Sequence, residues 1–562
     1  MTDDIPASDH ASRLSEQIEA LRNAHAAPQR GLEGLSATLQ GQIDELRAHE
    51  HSATAETLVG MILSAMREVK ATAEPPELAA TSSYTTIMLN YRILRSLAWQ
   101  ADRRSRAADW PGVLEVARVA AEWACFNHPG VLSSAAIEVA VADAGRHLLA
   151  GTVPARTALS RPRRRVIHVL TQAFPIGGHT RLAERWMRFD SASEHAVLLT
   201  EQGDLEVPEA LEAAATLGLH RLDAPTPADR VRDLRALLAD ADVVVLHIHP
   251  YDAVAVAACA DPTGPPVVFV NHGDHVFWLG VGVSDIVVNI RPSGATLTVD
   301  RRGVPSERSV ILPLPLDEIH RAQLRPEAKR VLNIADETVV MLTMASPMKY
   351  ALTSTPTFVA LVGEVLARAP QAMLIGVGPD LGTPGWRALV ESFPGRVIAH
   401  GPRTDTALLL EAADIYLDSF PFASITSLLE ASLYGTPVIC FRGRESGAMA
   451  ADDAVVELPC FDTADDWIDA VGALVGDRDR RERLGTELAE RVGAAHFAPP
   501  WRARLDGVYP LTRRAPVMPS SPDGPHVTPF DVALERFQEA NHFSRPLETL
   551  LAEHHLLDSA LA

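Results

Sequence analysis

The chain has 562 residues, 47% hydrophobic and 22% charged, and its 51 Lys and Arg against 72 Asp and Glu leave a formal net charge of −21. That length exceeds one ordinary core and predicts about three domains, while the acidic balance argues against a nonspecific nucleic-acid binder, which needs a cationic face to displace phosphate counterions. No uncharged apolar run reaches membrane-spanning length and the start at Met1 lacks the basic and apolar regions of a signal peptide, so no membrane span and a cytoplasmic location are expected.

Residues 1–155 read as an all-α domain. Leu32, Leu35, Leu39, Ile43 and Leu46, then Leu58, Ile62, Ala65, Met66 and Val69, recur at helical spacing and mark apolar stripes that must pack against something. Their periods do not match a tetratricopeptide consensus. The basic run from Arg161 to Arg165 reads as a solvated linker edge. From 163 to 325 the texture changes to near-continuous apolar runs separated by helical patterns, beginning at Val166, His195, Val243, Val267 and Ile286, as expected of buried parallel strands. Leu312-Pro-Leu-Pro-Leu316 reads as a hinge, and a second set follows over 330–505, with runs beginning at Val339, Met373, Arg396, Ile415 and Pro437. The fold class is therefore α/β: two Rossmann-like doubly wound domains facing across a cleft, preceded by the helical domain. Residues 506–562 read as a Pro-rich extended tail carrying a short helix from Phe530 to about Glu539. The four cysteines, Cys125, Cys259, Cys440 and Cys460, lie far apart without metal spacing and read as core thiols.

Ligands of open α/β sheets sit beyond the carboxyl ends of the strands, so chemistry is sought in those loops. Gly177-Gly178-His179-Thr180-Arg181 opens a helix after the first strand. Its glycines let backbone approach a phosphate or sugar, although a tight strand-to-helix turn has the same look. His272-Gly-Asp274-His275 follows another strand. It offers general bases with a carboxylate to orient them, a capped turn with solvated histidines, or metal-ligand chemistry, the last without a recognised spacing or third ligand. In the second domain, Lys349 follows the first strand, where it could neutralise a diphosphate. His400-Gly401-Pro-Arg403 ends another strand, where backbone groups could read a base edge. Ser424, Thr426 and Ser427 stand at a helix start, where the orphan N–H groups used for capping also bind anions, and Glu430 lies near enough to take a ribose diol.

Together these residues resemble the GT-B glycosyltransferases, and the second domain is most similar to the O-GlcNAc transferase family and its bacterial relatives that glycosylate proteins in the cytoplasm. The resemblance runs from about residue 165 to 500 and is densest between Thr343 and Arg444. It implies Lys349 on the diphosphate, Thr426 and Ser427 on phosphate, and Glu430 on ribose, where that family often has aspartate; Gly435-Thr-Pro-Val matches as well. Two positions depart. Ser424-Ile425 stand where the family has Gly-His, and Phe422 stands eight residues before Glu430, where the retaining, sucrose-synthase-like group has an acid. The Gly-Gly-His-Thr loop is closer to that retaining group and the missing acid points to the inverting relatives, so the stereochemical course stays open.

The expectation is a glycosyltransferase that needs no metal or other cofactor and moves a sugar from a nucleoside diphosphate, UDP favoured, to a protein or peptide acceptor. His179 is the first candidate base, with His272, Asp274 and His275 next. The helical domain is expected to recognise the acceptor or to form a homo-oligomer. The alternatives are a non-hydrolysing nucleotide-sugar 2-epimerase, which needs no acceptor domain, and an inert GT-B scaffold acting as an interaction protein.

Overall fold

The computed structural model describes residues 79–562 except 152–160, 176–177, 444–448, 452, 456, 513, 515–523, 544, 555 and 557–562. The stripes at 32–46 and 58–69 lie outside the described residues. Three helices open the described chain: Ala79–Arg106, Trp110–Phe126 and Ala135–Leu149. The second begins where the Asp109 carboxylate accepts the Gly112 N–H at 3.1 Å, with Pro111 in its first turn. It is buried nearly all round because it lies within one continuous core, in which Val113, Ala120 and Trp123 join Val169, Leu246 and Phe269 of the first sheet. The described helices thus share their core with the first lobe.

Among the described residues the first sheet holds β1 (Arg165–Leu170), β2 (Glu194–Leu199), β3 (Leu219–Arg221), β4 (Val243–His247), β5 (Val267–Asn271), β6 (Ile286–Asn289) and β7 (Ser309–Ile311). They are all parallel, in the order β3-β2-β1-β4-β5-β6-β7, with Val166 opposite Val243 and His195 on its two sides. The second sheet holds β8 (Val339–Met344), β9 (Ala372–Val377), β10 (Val397–Ala399), β11 (Ile415–Leu417), β12 (Val438–Phe441) and β13 (Cys460–Phe461). Its order is β10-β9-β8-β11-β12-β13, again parallel. Strands such as β4 and β8 are buried along their whole length because helices cover both faces, which is why their sequences are continuous apolar runs. The sequence reading missed β3, β7 and β13, which are two or three residues long and partly exposed. Strand order reverses between β1 and β4 and between β8 and β11, and the crevices above these points face each other.

The chain crosses between lobes more than once. At the hinge, Trp501 Nε1 donates to Pro313 O at 2.6 Å, Leu316 N donates to His496 O at 2.9 Å, and His496 Nδ1 donates to Leu314 O at 2.7 Å. The helix Ala498–Val508 then returns to the first lobe, where Trp501 meets Trp186 edge-on at 5.4 Å. The boundary drawn at residue 505 falls inside this helix. Beyond it the two described helices of the tail are packed, while Pro516, Pro519 and Pro522 lie outside the described residues. The helix Pro529–Ala540 docks by Asp531, which accepts from His128 Nε2 at 2.7 Å and from Arg301 at 2.8 Å, and Leu547, Leu550 and Leu551 enter the first core. The basic run at 161–165 is partly exposed but tied down: Arg161 donates to Asp240 O at 2.6 Å and Arg163 to Ser191 O at 2.6 Å. Cys125, Cys259 and Cys440 are buried and take part in no disulfide, and burial pushes Cys259 up to about 11. Among the described residues no helix is long and apolar enough to cross a membrane.

One carboxylate joins the helical segment to the first lobe. Glu138 accepts the backbone N–H groups of Gly280 at 2.7 Å, Val281 at 3.2 Å and Gly282 at 3.0 Å, and burial raises its pKa to about 7 against the pull of those donors. Replacing Glu138 by alanine strands three buried donors and is expected to lower the free energy of unfolding by about 3 kcal/mol. A urea titration reads this; a loss under about 1 kcal/mol would show that the tie contributes little.

Candidate active site

On the second lobe, the end of β8 is fixed from below. Tyr416 Oη donates to Met344 O at 3.0 Å, and Tyr350 Oη meets Thr343 Oγ1 at 2.8 Å, which anchors the short turn Pro347–Tyr350. That turn carries Lys349 over the crevice, where Nζ donates to Ala423 O at 2.8 Å and stands 5.2 Å from the centroid of the Phe422 ring. Burial brings the Lys349 pKa down to about 8, opposed by the charge of Asp418. Asp418, at the end of β11 and 2% exposed, accepts Ser424 N at 3.0 Å. Burial lifts its pKa to about 6, opposed by that N–H and by Lys349.

The helix Ile425–Leu433 starts just beyond, and no side chain caps it. Ser424 and Ser427 hydroxyls instead bond each other at 3.2 Å, so the first-turn N–H groups and the Thr426 hydroxyl remain directed at the crevice. The opposite lobe comes close here: a Cβ built on Gly178 would lie 3.7 Å from Thr426 Oγ1. Gly177 lies outside the described residues. Glu430 faces the helix Gly178–Phe189 and pairs with Arg181 at 3.2 Å and Arg185 at 3.7 Å. It also lines a cavity of about 290 Å³ with Arg185, Asp317, Thr404, Asp405 and Tyr434. His400 and Arg403 do not reach this cavity. His400 is exposed, Arg403 turns back onto Asp405 in a two-pronged pair at 3.0 and 2.5 Å, and Gly401 with φ +70° makes the turn that brings Thr404 and Asp405 to the wall.

On the first lobe, His179 and His272 stack with ring centroids 5.5 Å apart, beside His249. Carbonyl oxygens only accept, so the contact of His179 Nε2 with Gln172 O at 3.0 Å places the proton on Nε2 and leaves Nδ1 a bare acceptor. By the same reasoning His272 is protonated at Nδ1, 3.2 Å from Val270 O, and its Nε2 is bare. Burial lowers both, His272 to about 3 with further opposition from His179, so both rings are neutral bases at neutral pH. Asp274 does not belong with them. Its carboxylate is bound by Arg291 at 2.7 Å and by His275 at 3.2 Å and is held well below the usual carboxylate range, while Arg291 reaches on to Ala450 O of the second lobe. Asp274 is a lobe-to-lobe anchor, and His275 lies against the edge of Phe422 at 4.7 Å rather than in solvent.

Behind the stack, three buried imidazoles cross β2, β1 and β4. His195 Nε2 donates to Asp190 O at 2.9 Å, so its Nδ1 accepts from His168 Nε2 at 3.1 Å, and His168 Nδ1 accepts from His247 Nε2 at 3.0 Å. The row ends at His247 Nδ1, a buried acceptor with no hydrogen bond. Burial, then the charges of neighbouring imidazoles, holds His168 and His247 well below the ordinary histidine value.

The sequence reading passed over Asp418, Arg185 and His249 as site residues. An acid at a strand end directly before the hydroxyl loop was the available signal for Asp418; the others gain their place only through the fold.

No protein-family profile matches the chain. Among curated proteins it is similar to a D-inositol 3-phosphate glycosyltransferase of Nocardia farcinica, 27% identical over 279 residues that cover 46% of this chain and 58% of that protein. The chain thus spans little more than half the length of that relative. Among solved structures it is similar to Anabaena HepE in complex with UDP and glucose, with 15% identity over 61% of this chain and 99% of that one and a TM-score of 0.47. It is also similar to a mutant O-GlcNAc transferase of Thermobaculum terrenum, with 17% identity over 89% of this chain and 98% of that one and a TM-score of 0.45. A third is the sucrose-phosphate synthase of Thermosynechococcus elongatus, with 14% identity over 62% and 98% and a TM-score of 0.46.

The depressed imidazoles set a direction for acid stability. A group whose folded pKa lies below its unfolded value binds fewer protons folded, so its stabilisation is complete above the unfolded value and is lost as the pH falls toward the folded one. For His272 that window runs from 6.5 down to about 3. Urea midpoints at pH 7 and pH 5 are expected to show a smaller acid-induced fall in His272→Gln than in the wild type; equal falls would count against the neutral assignment.

Proposed function

We propose that the chain is a glycosyltransferase that takes a sugar from a nucleoside diphosphate, UDP favoured, without a metal ion, and delivers it to a protein or peptide hydroxyl or amide. One observation carries this reading: an uncapped helix start and a half-buried lysine on one lobe meet Gly178 at a helix start and two neutral histidines on the other. The likeness to a curated glycosyltransferase supports it.

In this reading the nucleoside occupies the cavity beside Glu430, and its ribose replaces Arg181 or Arg185 as a partner of that carboxylate. The diphosphate lies on the helix start. As the bond from the sugar to the diphosphate breaks, its electron pair leaves with the phosphate, where Lys349, Thr426, Ser427 and the helix N-terminus offset the growing charge. The acceptor's proton passes to His179 Nδ1 as the new bond to the sugar forms. A second cavity of about 610 Å³ lies between the N-terminal helices and the first lobe, with Arg118, Glu201, Asp223 and Arg230 on its wall. Arg118 stands over Tyr251, Tyr251 meets His249, and His249 meets His179, so this cavity neighbours the base and suits the acceptor.

Titration calorimetry and a transfer assay test the reading. Lys349→Ala is expected to weaken UDP binding about tenfold or more, equivalent to roughly 1.4 kcal/mol. His179→Ala is expected to lower kcat about 10²- to 10⁴-fold with UDP affinity retained. Activity is expected to persist in excess chelator. Unchanged UDP binding in Lys349→Ala, or activity abolished by chelator and restored by a divalent ion, overturns the corresponding part.

A further inference from the structure

The helix Pro529–Ala540 takes no part in the proposed chemistry, yet it touches the N-terminal helices and both lobes. Asp531 binds His128 and Arg301, while Gln538 accepts His128 N at 2.8 Å and donates to Cys125 O at 2.8 Å. These bonds fix the helix to the helical segment and the first lobe. Its apolar side, Phe530, Ala533, Leu534 and Phe537, packs with Leu297 of the first lobe and with Met348, Phe422 and Met449 of the second.

The contact with Phe422 reaches the site. Phe537 stacks on Phe422 with centroids 5.0 Å apart and planes inclined by 26°, and Phe422 presents its ring to Lys349 at 5.2 Å. The result is a layered stack of ring, ring and ammonium, its outermost layer supplied by the C-terminal helix. A cation over an aromatic face gains more when water is kept from it.

We propose that Phe537 is a positioning residue for the nucleotide site: it holds Phe422 beneath Lys349 and shields the ammonium from water, and thereby fixes where that charge meets the donor's diphosphate. The inference rests on the proposed donor role of Lys349. The groups around the ammonium are known from every side. Asp418 at the end of β11 favours its charged form, Arg291 from the first lobe opposes it, and the Ala423 carbonyl accepts its proton. His275 lies at the edge of Phe422 and Asp274 is bound to Arg291, while the C-terminal helix contributes apolar side chains to this cluster. Removing the Phe537 ring therefore changes hydration more than the local set of charges. The lysine, brought down to about 8 by burial, should titrate at higher pH when water returns.

The test is UDP affinity from pH 7 to pH 10 in the full chain, by calorimetry, for the wild type, Phe537→Ala and Phe537→Leu. UDP binds the protonated lysine, so affinity is expected to fall with rising pH, with a midpoint near that value of about 8 in the wild type. Phe537→Ala is expected to weaken binding several-fold at pH 7 and to move the midpoint up by about one pH unit. Phe537→Leu keeps an apolar cover and is expected to retain the wild-type midpoint; if the alanine variant does not fold, Phe537→Gln carries the test, its polar amide expected to move the midpoint up and an unmoved midpoint overturning the inference. A helix that merely stabilises the fold would lower the melting temperature and leave the midpoint unmoved. Equal midpoints in folded Phe537→Ala and wild type, or a leucine variant displaced as far as alanine, overturn the inference. No UDP binding by the wild type at any pH overturns the donor reading itself, and this inference with it.

Discussion

The site depends on a set of backbone N–H groups that the fold leaves unpaired. The helix Ile425–Leu433 begins without a side-chain cap, because Ser424 turns its hydroxyl to Ser427 and gives its own N–H to Asp418. Buried or half-buried donors of this kind need an acceptor, and an anion is the natural one. The parts around the helix start follow from that need. Lys349 adds a formal charge beside it, Gly178 lets the other lobe approach without a side chain, and Glu430, farther along the helix, carries the opposite charge and pairs with Arg181.

Electrostatics divides the lobes by task. The second lobe keeps a lysine and a carboxylate close together in low dielectric, with each opposing the shift that burial imposes on the other. The first lobe keeps His179 and His272 uncharged. Their protons are assigned by carbonyl partners rather than by solvent, so the free nitrogens are lone pairs at neutral pH. In the proposed reaction, a cationic cradle against a neutral basic wall lets charge leave on one side while a proton is accepted on the other.

Much of this was legible in the sequence. The central strands were read because covering them on both faces requires unbroken apolar runs, and β3, β7 and β13 were not, because short, partly exposed strands carry no such run. Lys349 and the 424–430 segment were singled out because hydroxyls at a helix start have a recognisable chemistry, and the fold brings them together at one crevice. Asp274 and His275 were misjudged for the opposite reason: they adjoin a histidine that faces the stack, but the partner that decides their role, Arg291, is seventeen residues on. His400 and Arg403 were placed in the right loop, yet a left-handed turn at Gly401 hands the cavity wall to their successors. The tail gave no functional signal, since Phe537 matters only through Phe422, far back in the chain.

The Glu138 clamp has a mechanical meaning. With that carboxylate locked onto the 280–282 backbone and a common core beneath it, the helices and the first sheet form a single mass, to which Asp531 bolts the C-terminal helix. That helix meets the second lobe through the rings and methyl groups of one apolar cluster. That surface holds the second lobe by the fit of apolar groups, with Phe537 and Phe422 at its centre. Polar links across the cleft, among them Arg291 to Ala450, Ser293 to Asp453 and Arg181 to Glu430, are the contacts that any rocking of the lobes must release and re-engage.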